Sequence, residues 1–227
     1  MDEVGKNTLE EMRNAAWYNK WIYDYFSKCL KGEILEIGCG IGNFVPFLIK
    51  SGKLTSIDVK NSYIENLKKE YVGVKFGLGD IENNTYFFKN KKFDSIISLN
   101  VFEHIKDDEK ALKNTYDLLK HGGNFAILVP AHKLLFSHFD KELGHFRRYS
   151  VLDLARKLRK EGFEIKQIRY FNWWAAIGWF VFVKLLRVKA MPSAPVGIFD
   201  TFGQFFLSVE KYIKLPIGIS VVAICKK

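Results

Sequence analysis

Three glycines at alternate positions, Gly38, Gly40 and Gly42 in "LEIGCGIGNF" (35–44), form the most chemically suggestive pattern in this 227-residue chain. They follow an apolar run and precede another. A glycine loop in that setting lets backbone NH groups approach a nucleotide closely. A dinucleotide loop has the spacing G-x-G-x-x-G, whereas the spacing here is G-x-G-x-G. Glu36, two residues before Gly38, would repel a pyrophosphate and suits a ligand bearing a cationic group. Asp58 follows Gly38 by 20 residues (58 − 38) and ends the next apolar run. A carboxylate at that distance can accept both hydroxyls of a ribose. Asp80, followed by Ile81 in "GLGDIE", is placed to accept from the amine of adenine. Asn100 ends a later apolar run beside the glycine loop.

These residues need strands to carry them. Short apolar runs at 33–38, in "KLTSIDV", in "VKFGLGD", at 92–102 and in "NFAILVPA" read as buried strands, and "EIKQIRYFN" and "GISVVAICKK" as two more. Between them, amphipathic spacing predicts helices over 8–30, 43–52, "NSYIENLKKEY", 106–123 and 150–163. Gly122 and Gly123 are read as the stop of the fourth of these, and Ser150 as the cap of the fifth. Strands alternating with helices predict an α/β fold, a mostly parallel seven-stranded sheet covered on both faces. In such a sheet the ligand sits at the carboxyl ends of the strands, where the glycine loop and the acids lie. The stretch 171–216, before the last strand, is too long for a structureless loop and is expected to form a helical insertion. One domain over 1–227 is expected, without linker or repeat.

S-adenosylmethionine has a sulfonium, an amino acid end, a ribose and an adenine, and so matches these residues. The chain resembles class I S-adenosylmethionine-dependent methyltransferases. "LEIGCGIG" corresponds to the glycine motif of that family, Asp58 to its ribose acid and "GDIE" to its adenine site. "FDSIISLNVFEHIKDD" and "LLKHGGNFAILVP" correspond to its two later motifs. The resemblance implies a Rossmann-like sheet with an antiparallel last strand, S-adenosylmethionine as cofactor, and a Glu36 that orients the loop. "WYNKWIYDYF" (17–26) and "ELGHFRRYS" (142–150) resemble a branch acting on small or lipid-linked molecules, and imply that Tyr18 or Trp21 lids the cofactor.

Methyl transfer from a sulfonium is an in-line displacement, so alignment and exclusion of water are the enzyme's main tasks. A base is needed only when the acceptor must lose a proton. His145, Tyr149 and His104 are the candidate catalytic residues, with His145 as a base and Tyr149 as a donor to an acceptor oxygen. Arg147 and Arg148 are expected to grip an anionic group of the acceptor. No metal is expected. In some relatives an acidic residue together with Glu-His at this position holds a divalent metal; here the residue three before Glu103 is Asn100, and His132 and His145 would join Glu103 and His104 only through folding.

Composition bounds the partners. Residues 1–140 hold 19 Lys/Arg and 19 Asp/Glu, whereas residues 141–227 hold 16 and 6 and so carry the whole net charge of +10. "WWAAIGWFVFV" (173–183) is uncharged but too short for a bilayer, which needs about 20 residues. Lys184, Arg187 and Lys189 follow it, and Ile198, Phe199, Phe202, Phe205, Phe206 and Val209 share a helical face. A basic, apolar insertion suits a small or lipid-linked acceptor, a peripheral membrane contact or a homodimer contact. RNA methylation and a non-catalytic cofactor-binding subunit are the alternatives. Nucleic acid is not the expected partner, because no RNA-binding appendage is present. Three scattered cysteines and an acidic, non-apolar start fit a cytoplasmic protein, with the inner membrane face as a second location.

Overall fold

The computed structural model describes residues 3–173, 175–176, 210 and 215–227. Eight strands form one sheet: β1 (Gly32–Ile37), β2 (Gly52–Asp58), β3 (Lys75–Asp80), β4 (Thr85–Tyr86), β5 (Phe93–Leu99), β6 (Leu119–Pro130), β7 (Glu164–Phe171) and β8 (Ser220–Lys226). Their order is β4-β3-β2-β1-β5-β6-β8-β7. Strands β3, β2, β1, β5 and β6 run parallel, and β8 is antiparallel to both β6 and β7. This is the Rossmann-like sheet the sequence implies, with one strand more. The extra strand, β4, is two residues long and pairs with the end of β3, too short to leave a periodic signal.

Among the described residues the helices given in full are α1 (Glu3–Asn14), α2 (Ala16–Phe26), α3 (Val45–Leu48), α4 (Asn61–Glu70), α5 (Asp108–Leu118), α6 (His138–Glu142) and α7 (Val151–Lys160). Both faces of the sheet are buried, and alternation along the strands divides the core. Leu35, Ile37 and Ile57 pack with Leu112 of α5 and Leu154 of α7. Ile34 and Leu54 pack with Ile22 of α2, Val45 of α3 and Leu67 of α4 on the other side. The connections after β1 and β5 therefore leave on opposite faces, which opens a crevice at the carboxyl ends of these neighbouring strands.

Three helix boundaries differ from the sequence reading. The single helix expected over 8–30 is two helices broken at Ala15, whose ψ is 53°. The buried Asn19 amide donates to Met12 O across the break, joining Ala15 N on that carbonyl in the last turn of α1. Helix α5 ends at Leu118, and β6 begins at once, so Gly122 and Gly123 lie in the strand rather than at a helix stop. Helix α6 was not anticipated. Ser137 and Asp140 close a capping box around its first turn. Ser150 caps α7 as expected, accepting from Asp153 N at 3.1 Å. Most of the 171–216 insertion, including Trp174 and Trp179, lies outside the described residues.

Candidate active site

The loop after β1 is pinned to the end of β2, because Gly38 N and Cys39 N both donate to Ile57 O, at 2.8 and 3.1 Å. Gly38 has φ +76°, and a Cβ there would stand 2.4 Å from Val101 Cγ2. Gly42 has φ +84°, and a Cβ would stand 2.5 Å from Leu67 Cδ2. Both positions therefore exclude a side chain by backbone conformation and by space. Their roles differ: Gly38 and Gly40 face a cavity of about 420 Å³, whereas Gly42 packs beneath it against α4. Ile37, Asp58, Asp80, Asn100 and Pro130, at the ends of β1, β2, β3, β5 and β6, also line this cavity. Its volume falls in the range of small-molecule sites.

The acids flagged by sequence divide into wall and support. Asp58 is on the wall. Its Oδ2 accepts from Gly40 N at 2.8 Å and its Oδ1 from Lys60 N at 2.9 Å, so it holds the glycine loop while facing the cavity. Burial raises its pKa. Asp80 also reaches the wall, but its carboxylate is engaged by Glu82 N, Asn83 N and the Asn83 amide. It acts on the turn that presents Ile81, a buried apolar wall residue. Asn100 holds φ +54°, a strained conformation fixed by its N–H to Leu128 O. Glu36 is not on the wall. It shares the Ile34 face of β1 and lies beneath the loop, accepting from Ser56 Oγ at 2.8 Å. Burial, reinforced by the nearby charge of Asp58, pushes its carboxyl up to about 7.

The expected lid is misplaced in the sequence reading. Tyr18 does not reach the cavity: its hydroxyl accepts from Asn172 Nδ2 at 2.9 Å, and its ring stacks on Trp21. Trp21 in turn stacks on Phe171 with centroids 4.0 Å apart. Both rings bind α2 to the end of β7. The cavity is covered by α1, one helix earlier, through Gly5, Thr8, Leu9 and Met12. Asn43 of the glycine loop donates to Leu9 O at 3.0 Å, and Arg13 donates to both carboxylate oxygens of Glu70.

At the end of the cavity next to β5 and β6 stand Glu103, His104, Leu143 and His145. The two imidazoles meet edge to face with centroids 4.6 Å apart. His145 Nδ1 lies 3.0 Å from Asp140 Oδ1, which fixes the ring and leaves Nε2 as its second polar atom. Asp140 is fully buried and also receives Arg148 Nε and Nη2, at 2.7 and 3.1 Å. Burial opposes its ionisation, yet hydrogen bonds from His145 and Arg148 outweigh it and hold the carboxyl well below the usual carboxylate range. Burial, with a contribution from His145, pushes the His104 pKa down to about 4. Burial pushes the Glu103 carboxyl up to about 7. One donor atom from each of Glu103, His104 and His145 lies within 4.8 Å of the others.

Three residues assigned to the acceptor are placed elsewhere. Tyr149 is 1% exposed, and its hydroxyl donates to Asp108 Oδ2 at 2.8 Å and to Phe102 O at 3.1 Å. It is a core residue, off the cavity wall. Arg148 is 4% exposed and spent on Asp140. Arg147 pairs with Asp108 at 2.9 Å and donates to Lys106 O. A run of basic and aromatic residues in a loop thus serves a buried polar network that includes Lys157. Asp140 and Asp108 were missed. The readable signal for Asp140 was the Ser137-x-x-Asp140 cap five residues ahead of His145; for Asp108 there was none.

Residues 35–127 match the family model described as a methyltransferase domain. Malonyl-(acyl-carrier protein) O-methyltransferase 1 of Ilyobacter polytropus is 28% identical over 145 residues, 59% of this chain and 53% of that protein. Ubiquinone biosynthesis O-methyltransferase of Coxiella burnetii is 30% identical over 126 residues, 53% of this chain and 48% of that one. The chain thus spans about half the length of these curated relatives. In fold it is similar to Haemonchus contortus phosphoethanolamine N-methyltransferase 2 in complex with S-adenosyl-L-methionine, with TM-score 0.62 at 20% identity over 92% of this chain and 52% of that one. The strand order places the cavity at the switch point of a Rossmann-like α/β sheet. Residues 35–127, which carry the glycine loop, Asp58, Asp80 and Asn100, are thus similar to a methyltransferase domain, and S-adenosyl-L-methionine is the ligand of the Haemonchus protein.

Proposed function

We propose that this chain transfers a methyl group from S-adenosylmethionine to a small or lipid-linked acceptor. The observation that carries the reading is Asp58, which faces the cavity from the end of β2 while its other contact holds Gly40. The cofactor supplies a methyl group already activated by a positive sulfur. Asp58 accepts the ribose hydroxyls, Ile81 packs on the adenine, and the backbone at Gly38 and Gly40 receives the amino acid end. Asp80 and Asn100 shape the walls, Glu36 and Gly42 hold the loop from beneath, and α1 excludes water. Acceptors bind at the Glu103, His104 and His145 end, where the proton of a hydroxyl or amine can be taken up. Arg147, paired with Asp108, and the buried Tyr149 and Arg148 hold this end in place from behind the wall.

Methyl-labelled cofactor, incubated with lipid, aqueous small-molecule and RNA extracts, tests the reading. Label is expected in the small-molecule or lipid fraction, and His145→Ala should reduce it about 100-fold or more, the usual contribution of acid–base chemistry. Label in RNA alone would contradict the acceptor class, and no transfer to any fraction would favour a non-catalytic cofactor-binding subunit. A peripheral membrane contact or a homodimer contact belongs to the same proposal and rests on the 171–216 insertion. Among the described residues, no helix is long and apolar enough to cross a membrane.

A further inference from the structure

His145 reaches the cavity wall from the loop between α6 and α7, and Asp140 of α6 holds it twice. Its backbone N donates to Asp140 O at 2.8 Å, and its ring Nδ1 lies 3.0 Å from Asp140 Oδ1. The Asp140 carboxylate is fully buried and takes further donors. Arg148 Nε shares Oδ1, while Arg148 Nη2, Ser137 N and Ser137 Oγ converge on Oδ2. Each of these neighbours donates, so the carboxylate accepts on both oxygens, and a neutral His145 must carry its ring proton on Nδ1. The lone pair is then on Nε2, the free nitrogen of a ring that lines the cavity. His104 packs edge to face against that ring, and burial keeps it neutral, its pKa pushed down to about 4. Glu103 Oε2, buried at the same end, finds no hydrogen-bond partner among the described residues and calls for a donor.

We propose that Asp140 is a positioning residue that makes His145 the proton acceptor for a hydroxyl or an amine, and that this end of the cavity is built for such an acceptor rather than for a carboxylate. The proposal rests on the methyl-transfer reading. As the cofactor's methyl–sulfur bond breaks, its electron pair stays on sulfur, which becomes a neutral thioether. The new bond to carbon forms from a lone pair of the acceptor oxygen or nitrogen, and the proton of that atom passes to His145 Nε2. The positive charge thus moves from sulfur to an imidazolium whose Nδ1 faces the ionised Asp140. A carboxylate acceptor has no proton to lose and gives this pair nothing to do. It would also meet the Glu103 carboxyl oxygen, while the neighbouring guanidinium groups are committed to protein acids, Arg147 to Asp108 and Arg148 to Asp140.

Proton–nitrogen correlation spectra of protein carrying isotopically labelled histidine read the tautomer directly, with His145→Ala identifying the signals. Neutral wild-type His145 should carry its proton on Nδ1; a proton on Nε2 would overturn the proposal. Asp140→Asn alone would strand the buried Arg148 charge, so it is combined with Arg148→Met. In that double variant the Asn oxygen keeps the two donors of Ser137 and its NH2 group turns to His145, which should move the ring proton to Nε2. Transfer of label from methyl-labelled cofactor to the small-molecule and lipid extracts should fall about 100-fold or more, with S-adenosylhomocysteine affinity held within a few-fold in calorimetry. Circular dichroism melting shows that the variant keeps its fold. An unchanged tautomer with unchanged transfer would reduce Asp140 to a structural role and overturn the proposal. Mild alkali applied to the labelled product tests the acceptor class. Methyl ethers and methylamines should keep the label, whereas a methyl ester would release it as volatile methanol and rule the class out. Protein that binds S-adenosylhomocysteine but transfers no label removes the methyl-transfer reading and the acceptor class with it, and the wild-type tautomer still decides the pair.

Discussion

Glu36 shows how one side chain can be identified correctly by position and differently by role. Its place two residues before the glycine loop is legible in sequence, but strand alternation puts it beneath the loop rather than on the wall. There, burial and the neighbouring Asp58 hold its carboxyl at about 7, against an ordinary value of 4.5. The folded protein therefore binds a proton that the unfolded chain releases between these values. Stability from this group is complete below about pH 4.5 and is lost as pH rises towards 7, the loss being on the order of 3 kcal/mol. Glu36→Gln should remove that slope. Urea denaturation from pH 5 to 8 should show the variant gaining on the wild type up to about pH 7 and running parallel above it. Parallel curves throughout would mean that Glu36 is ionised in the folded state at pH 5. The same contrast of position and role explains Tyr149 and Arg148. Their residue types suggested substrate contacts, yet Asp108 and Asp140 are buried acids that need partners, and these two side chains supply them.

At the scale of elements, the strands were legible because buried parallel strands are short apolar runs ended by turn residues. The cofactor end was legible with them, since Asp58, Asp80 and Asn100 are strand ends. The cover was not, because which helix crosses a cavity depends on packing that periodicity does not encode. The break at Ala15 sends α1 over the glycine loop and α2 against β7. Leu9 lies over Gly40, its Cδ1 3.4 Å from where a Cβ would stand, whereas Arg13 and Glu70 pair in solvent. The half-buried apolar contact of Leu9 outweighs an exposed ion pair, which contributes about 0–1 kcal/mol. Leu9→Ala should therefore speed release of S-adenosylhomocysteine several-fold, and Arg13→Ala should change it by about fivefold at most. Stopped-flow displacement measures both. An unchanged rate in Leu9→Ala, or a larger effect at Arg13, would remove α1 as the cover.

For the whole molecule, sheet order places the site. Strands β1 and β5 send their connections to opposite faces, and the resulting crevice gathers residues from five strand ends, from α1 and α4 and from the loops beside them. The motif residues read from sequence, Gly38, Gly40, Asp58, Asp80 and Asn100, line that crevice. Its end next to β5 and β6 depends on the fold bringing residues 103–104 to residues 140–145, a separation that no local pattern reveals. Residues 141–227 carry the excess positive charge, and the apolar helical face expected at 198–209 lies outside the described residues. The central claim, that the cavity is an S-adenosylmethionine site organised by Asp58, is tested most directly by calorimetry with S-adenosylhomocysteine and NAD. Wild-type protein should bind S-adenosylhomocysteine with micromolar affinity, about −8 kcal/mol, and NAD not at all. Asp58→Ala should weaken the first by roughly 1.5–3 kcal/mol, tenfold or more, through the lost hydrogen bonds to a charged acceptor. Unchanged affinity in that variant, or preference for NAD, would contradict the account.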